Sequence, residues 1–264
     1  MKDFPLCLLI LLLGYASPVA ASTYQVIKVK GHIVNKRTGE QLITKSQFSS
    51  EDELTFLSDE DRLALIDEHK RSFIARPKNN EKGYSLQPIR SKLGTRPGKI
   101  LSYIEFVEYL NGRDFLILGG QATLEINATD LQPDETHFFY IRYRLEGEAE
   151  PVNKKLPFQG NRVILSKQDL FTVDAQSVSP AKASNFQLFF YDSEQKKSLK
   201  INDLRLVFPD EEGLTAEIEV IRSSFKASEN QEGALKKAIE NYLIEVYGVP
   251  EKGNLDRWLR KHQI

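Results

Sequence analysis

Residues 137–146 read HFFYIRYRLE, four aromatic rings and two arginines in ten positions. Successive side chains on a strand point to opposite faces, so period two divides the stretch. Phe139, Ile141, Tyr143 and Leu145 form an unbroken apolar face. On the other face Phe138 and Tyr140 give way to Arg142 and Arg144. That is a central strand of a sandwich, with one core face and one half-wet face. Aromatics interleaved with arginines are also how some RNA-binding sheets hold bases. Phe138, Tyr140, Arg142 and Arg144 are therefore the candidate binding residues. Either their face lies under a helix or it meets a partner.

Charge removes the nucleic-acid reading. The chain carries 36 basic and 37 acidic residues, so no basic excess condenses on phosphate. The N-terminus points to export. Lys2 and the α-amino group precede the apolar run LCLLILLLGYA at 6–16; Pro18 and Val19-Ala20-Ala21 follow. A charged start, an apolar core and small residues at the cleavage position make a signal peptide over 1–21, cut after Ala21. The run has about 11 apolar residues, short of the roughly 20 that span a bilayer as a retained anchor. The remaining 243 of 264 residues contain no cysteine and no methionine. This excludes disulfide frameworks, thiolate metal sites and cysteine nucleophiles, and it suits a bacterial cell envelope. The sequon at Asn127-Ala128-Thr129 is then incidental.

The quoted strand sits in a β-rich block over 100–226. Strands are expected at 101–109, 114–118, 121–126, 137–146, 161–165, 186–192, 199–207 and 215–222. Turn signals separate them, among them Asn111-Gly112, Gly119-Gly120 and Gly160-Asn161. Asn-Gly suits a type I′ hairpin between the first two strands. Seven or eight strands in this length predict a β-sandwich, Ig-like or jelly-roll-like.

Before that block lies a small β-domain over 22–76. Ile27, Val29 and Ile33 alternate with Lys28, Lys30 and His32, and further short apolar runs recur about every ten residues. The run from Gly31 to Ala75, GHIVNKRTGEQLITKSQFSSEDELTFLSDEDRLALIDEHKRSFIA, resembles the small β-domain of the FecR family. The likeness rests on Gly31, Leu42, the acidic approach at 50–54 and paired strands at 62–67 and 71–76. Lys45-Ser46 replaces a usual glycine, and Glu68-His69-Lys70 replaces the usual Asp-Gly hairpin. The resemblance implies a β-domain and, as one functional option, an envelope sensor. Sigma-factor regulation is not carried over, because the cytoplasmic binding segment and anchor of that family are not recognised here. Residues 77–99 are rich in Pro, Gly, Asn and charge and read as a linker or long loop.

After 226 the period becomes helical. Ser228 and Gln231 have capping-box spacing, and Leu235, Ile239, Tyr242, Leu243 and Val246 recur on one face before Gly248 and Pro250. Asn254 is placed to cap a second helix carrying Leu255, Trp258 and Leu259. This helical pair over 227–264 must bury its stripe, most simply against the sandwich. The second block and tail resemble in style exported Bacteroidota proteins of uncharacterised function.

Chemistry is sparse. His32, His69, His137 and His262 are scattered without ligand spacing. No Gly-x-Ser-x-Gly elbow is present, and Ser193-Glu194-Gln195-Lys196 falls in a polar turn. The acidic clusters at 51–53, 58–61 and 210–212 lack the regular alternation of a calcium loop. No catalytic or metal residue is assigned and no cofactor is expected. Aromatic residues on expected strands (Tyr103, Tyr109, Phe138, Tyr140, Tyr143, Phe189, Phe190 and Tyr191) serve either the core or a flat row that stacks on sugars. The expectation is an exported, non-catalytic binding, scaffolding or surface-interaction protein with a protein or glycan partner. The alternatives are a secreted hydrolase acting on glycans and a FecR-related sensor.

Overall fold

The computed structural model describes residues 21–78, 83–90, 96, 99–111, 114–225 and 231–264. The expected signal peptide, Gly112 of the expected hairpin and Ser228 of the expected cap lie outside the described residues, apart from Ala21.

The first block contains β1 (Thr23–Lys30), β2 (Ile33–Asn35), β3 (Gln47–Ser49), β4 (Leu54–Phe56), β5 (Arg62–Asp67), β6 (Ser72–Pro77) and β7 (Tyr84–Pro88). Five of them form a sheet in the order β3-β1-β5-β6-β7, with β2 and β4 paired beside it. At the β5–β6 turn no Asp-Gly is present, and Lys70 takes a positive φ of 63°. The Asp67 carboxylate accepts the amides of His69 and Arg71 at 2.9 and 2.8 Å, which supplies the turn with its missing hydrogen bonds. β7 is a correction: it lies within the stretch expected as linker, yet pairs with β6 from Phe73↔Pro88 to Pro77↔Tyr84.

The second block runs through β8 (Lys99–Ile100), α1 (Tyr103–Leu110), β9 (Phe115–Leu116), β10 (Gln121–Ile126), β11 (His137–Leu145), β12 (Val152–Lys155), β13 (Phe158–Gln159) and β14 (Arg162–Ser166). It continues through α2 (Lys167–Leu170), β15 (Thr172–Val173), β16 (Gln176–Ser177), β17 (Ala183–Asp192), β18 (Lys197–Leu204) and β19 (Leu206–Val207). Two four-stranded sheets, β13-β14-β10-β8 and β12-β11-β17-β18, face each other. Ala122, Leu124, Ile126, Val163 and Leu165 from one share a single core with Phe139, Ile141, Tyr143, Leu188 and Phe190 from the other. The protein is mainly β, as the period-two pattern predicts.

Two expected strands are helices. Most of 101–109 lies in α1, because Ser102 accepts the Glu105 amide at 3.2 Å while the Glu105 carboxylate accepts the Leu101 amide at 2.8 Å. That reciprocal cap outweighs the β-propensity of Tyr, Ile and Phe, and it places Phe106, Tyr109 and Leu110 on the buried side. Asn111 ends α1 rather than a strand. The expected strand 215–222 lies in α3 (Glu211–Ser224). Asp210 caps it through the Gly213 amide at 2.7 Å, and Glu211 and Glu212 favour its positive N-terminus.

The tail comprises α4 (Glu232–Val246), β20 (Val249–Pro250) and α5 (Lys252–Lys261). Its helices divide: α5 lies against the sandwich, as expected, whereas α4 packs elsewhere. Leu214, Ile218 and Ile221 of α3 and Ile239, Tyr242 and Leu243 of α4 pack with Ile27, Ala64, Ile66 and Ile74 of the first sheet. Helices α3 and α4 thus cover the N-terminal sheet, whose opposite face packs Val26, Leu63 and Leu65 into a separate core. Glu217, in this interface, accepts from Lys28 Nζ and Tyr242 Oη at 2.7 Å and from Tyr247 Oη at 2.5 Å. The cap of α5 is Glu251, which accepts the amides of Gly253 and Asn254 at 2.6 Å. Asn254 instead sits inside the helix and pins it to the sandwich through the Leu118 and Gln121 carbonyls, at 3.0 and 2.8 Å. β20 pairs in parallel with β9, and Gly248 before it adopts φ 114° with the Asp114 carbonyl 2.5 Å from where a Cβ would stand.

Candidate functional site

The quoted strand, β11, lies between β12 and β17, so its outward residues acquire neighbours on both sides. Register pairs Phe138 with Tyr191 and Tyr140 with Phe189 on β17. On the other side Tyr140 faces Lys155 and Arg142 faces Asn153 of β12. The rings form an array: Tyr140 and Phe189 stack with centroids 5.0 Å apart and planes within 9°, and Phe138 and Tyr191 lie 5.3 Å apart. Tyr191 stands edge-on to Tyr140 at 6.4 Å, and the Tyr140 hydroxyl donates to Ser198 Oγ of β18 at 3.1 Å.

Cations lie on the rings. Lys155 Nζ is 4.0 Å from the Phe138 centroid, and the Arg142 guanidinium is 5.2 Å from Phe189 and 6.0 Å from Tyr140. Such contacts contribute about 0.5–1 kcal/mol each at exposed sites and hold the cation over the ring. Arg142 Nε donates to Asn153 Oδ1 at 2.9 Å. Neither Arg142 nor Lys155 has a carboxylate within ion-pair distance among the described residues, whereas Lys200 is matched by Asp203 at 2.8 Å. Three of the four candidates, Phe138, Tyr140 and Arg142, are thus brought together. Arg144 is not part of the ring array. A bulge between Arg142 and Arg144 shifts the register, and Arg144 is exposed, donating to the Ala149 carbonyl at 3.5 Å.

The C-terminal helices do not cover this face: α3 and α4 pack on the first sheet, and α5 lies against the other sandwich sheet, on β10. The aromatic row divides cleanly by burial. Tyr109, Tyr143 and Phe190 belong to the sandwich core and Tyr103 packs against it. Phe138, Tyr140, Phe189 and Tyr191 point outward, with Tyr140 closed over by its neighbours to 8 % exposure. Lys155 and Asn153 were not legible as site residues. Four residues of an ordinary polar strand reveal their place only once β12 pairs with β11.

His137, His262 and members of the acidic clusters have structural partners. His137 Nδ1 lies 3.1 Å from Asp134 and Nε2 3.7 Å from Asp192. The Asp134 carboxylate raises the His137 pKa above its ordinary 6.5. Asp134 itself is lowered to about 2, first by the His137 amide. His262 stacks on Trp258 at 4.0 Å. Asp52 accepts from Arg37, Asn35 and the Ser49 amide, Asp61 from the Leu57 and Ser58 amides, and Glu211 from Trp258 Nε1 at 3.0 Å. Among the described residues no group of three or more His, Cys, Asp or Glu is disposed to hold a metal ion. No helix among them is long and apolar enough to cross a membrane. Comparison with protein-family models, curated proteins and solved structures returned no match.

Proposed function

We propose that the protein is an exported, non-catalytic binding protein of the bacterial cell envelope, and that it takes an acidic glycan across the outer face of β11 and β17. The observation that carries this is the array of Phe138, Tyr140, Phe189 and Tyr191 topped by Arg142 and Lys155, two cations with no carboxylate partner among the described residues. Ring faces and edges take the apolar faces of sugars, and a guanidinium takes a carboxylate in a planar fork. The signal-peptide pattern supports export. The remaining candidate, Arg144, is a rim contact in this reading.

Titration calorimetry with acidic and neutral oligosaccharides tests it. Acidic chains are expected to bind more tightly, with a salt-dependent affinity that falls about tenfold or more in Arg142→Gln and Phe189→Ala. Equal binding of neutral chains, or unchanged binding in both variants, overturns the reading. Export is tested separately by intact mass, which is expected to begin at Ser22.

A further inference from the structure

The outward face of the other sheet also carries a site, of different construction. One row of register partners crosses all four of its strands: Gln159 on β13, Arg162 on β14, Glu125 on β10 and Lys99 on β8. The N-terminal part of α5 stands over the next rows of β10, pinned there by Asn254, and a groove of about 490 Å3 lies between helix and sheet. That volume is within the range of about 300–1,000 Å3 typical of small-molecule sites.

The lining decides the ligand class. Ile164 is the one large apolar side chain along it, which disfavours an apolar ligand. Gln121, Gln159 and Thr123 offer both donors and acceptors, the combination that hydroxyl groups need. The carboxylates are already committed. Glu251 caps α5, Asp256 faces Lys236 at 3.3 Å, and Glu125 is held by Asn127 at 3.3 Å and Lys99 at 3.5 Å. Three of the four lining cations are not: Arg162, Lys252 and Arg257 have no ion-pair partner among the described residues. Arg162 rises from the sheet while Lys252 and Arg257 project from the helix, so positive charge meets the groove from both walls. Sheet and pinned helix are rigid supports, which suits a preorganised site.

We propose that this groove is a second binding site, for a small hydroxyl-rich carboxylate of the uronic-acid class, distinct from the aromatic face. Its carboxylate pairs with Arg162 and Arg257, and its hydroxyls bond to Gln121, Thr123 and Gln159. The site stands whether or not the aromatic face binds a glycan.

Amide chemical-shift mapping of the full mature chain, titrated with di-galacturonate, galactobiose and inorganic phosphate, separates the outcomes. Di-galacturonate is expected to shift the amides of Thr123, Arg162 and Lys252, and the double variant Arg162→Gln/Arg257→Gln to weaken that response about tenfold with an unchanged melting temperature. Both side chains are exposed, so the fold does not depend on them. In Phe189→Ala the groove shifts are expected to persist, which keeps this site apart from the aromatic face. No groove shift with di-galacturonate, an undiminished shift in the double variant, or stronger binding of phosphate or galactobiose overturns the proposal.

Discussion

Strands β5 and β11 are both dense in apolar residues, yet they end in opposite situations. On β5, Leu63 and Leu65 enter the N-terminal core while Ala64 and Ile66 enter the core under the helices, so both faces are dry. On β11, Phe139, Ile141 and Tyr143 enter the sandwich core, while Phe138, Tyr140 and Arg142 look outward with cations laid over their rings. The β5 stretch, LALI, is aliphatic without interruption, as strands buried on both faces are. Arginine on alternate positions of β11 marks a face that stays in contact with water. Strand β5 therefore has no open face, whereas the outer face of β11 stays open.

The comparison is broken or sharpened first by substituting neighbouring residues. Phe139→Ala is expected to cost about 3–5 kcal/mol and Phe138→Ala about 1 kcal/mol, because only the former leaves a core cavity. On β5, Leu65→Ala and Ile66→Ala are each expected to cost about 2–5 kcal/mol. Denaturant unfolding of the four variants checks this. Equal losses at Phe138 and Phe139, or unequal losses at Leu65 and Ile66, would erase the distinction.

A smaller effect is expected at the helix-to-sheet interface that closes the second face of β5. Glu217→Gln replaces a carboxylate that serves Lys28, Tyr242 and Tyr247 at once. It weakens three charge-assisted hydrogen bonds, and a loss of about 1.5–3 kcal/mol is expected by thermal unfolding. A loss near zero would show that apolar packing alone holds the helices on the sheet.

The smallest effect concerns the edge of the open face. His137 is expected to titrate above 6.5 by NMR, and Asp134→Asn to bring it down. The raised pKa means that the contribution of His137 to stability is full below its unfolded value and fades as pH rises through its folded one. Asp134 works in the opposite sense: its contribution is present above the ordinary 3.8 and is lost as pH falls through about 2. An unperturbed His137 would remove this pair from the account.

The errors in the sequence reading share a cause. Residues 101–109 and 215–222 alternate well enough to pass as strands, but Ser102 and Asp210 cap helices there, and a cap acts on three residues where a period needs six or more. The turn at 68–71 lacks glycine, and only the Asp67 side chain shows why the chain still reverses. Lys155 escaped notice as a site residue because nothing local distinguishes it.

By itself the sequence determined the mainly β character, the two-sided division of HFFYIRYRLE and the helical period of the tail. These follow from side-chain direction along a single element, which each residue carries locally. Tertiary structure alone decided that α3 and α4 cover the N-terminal sheet, that Arg142 and Lys155 converge on rings of two strands, and that α5 walls a polar groove. Those depend on which strands become neighbours and which apolar stripe finds which face. Many pairings bury similar area, so the choice belongs to the packing of the whole chain.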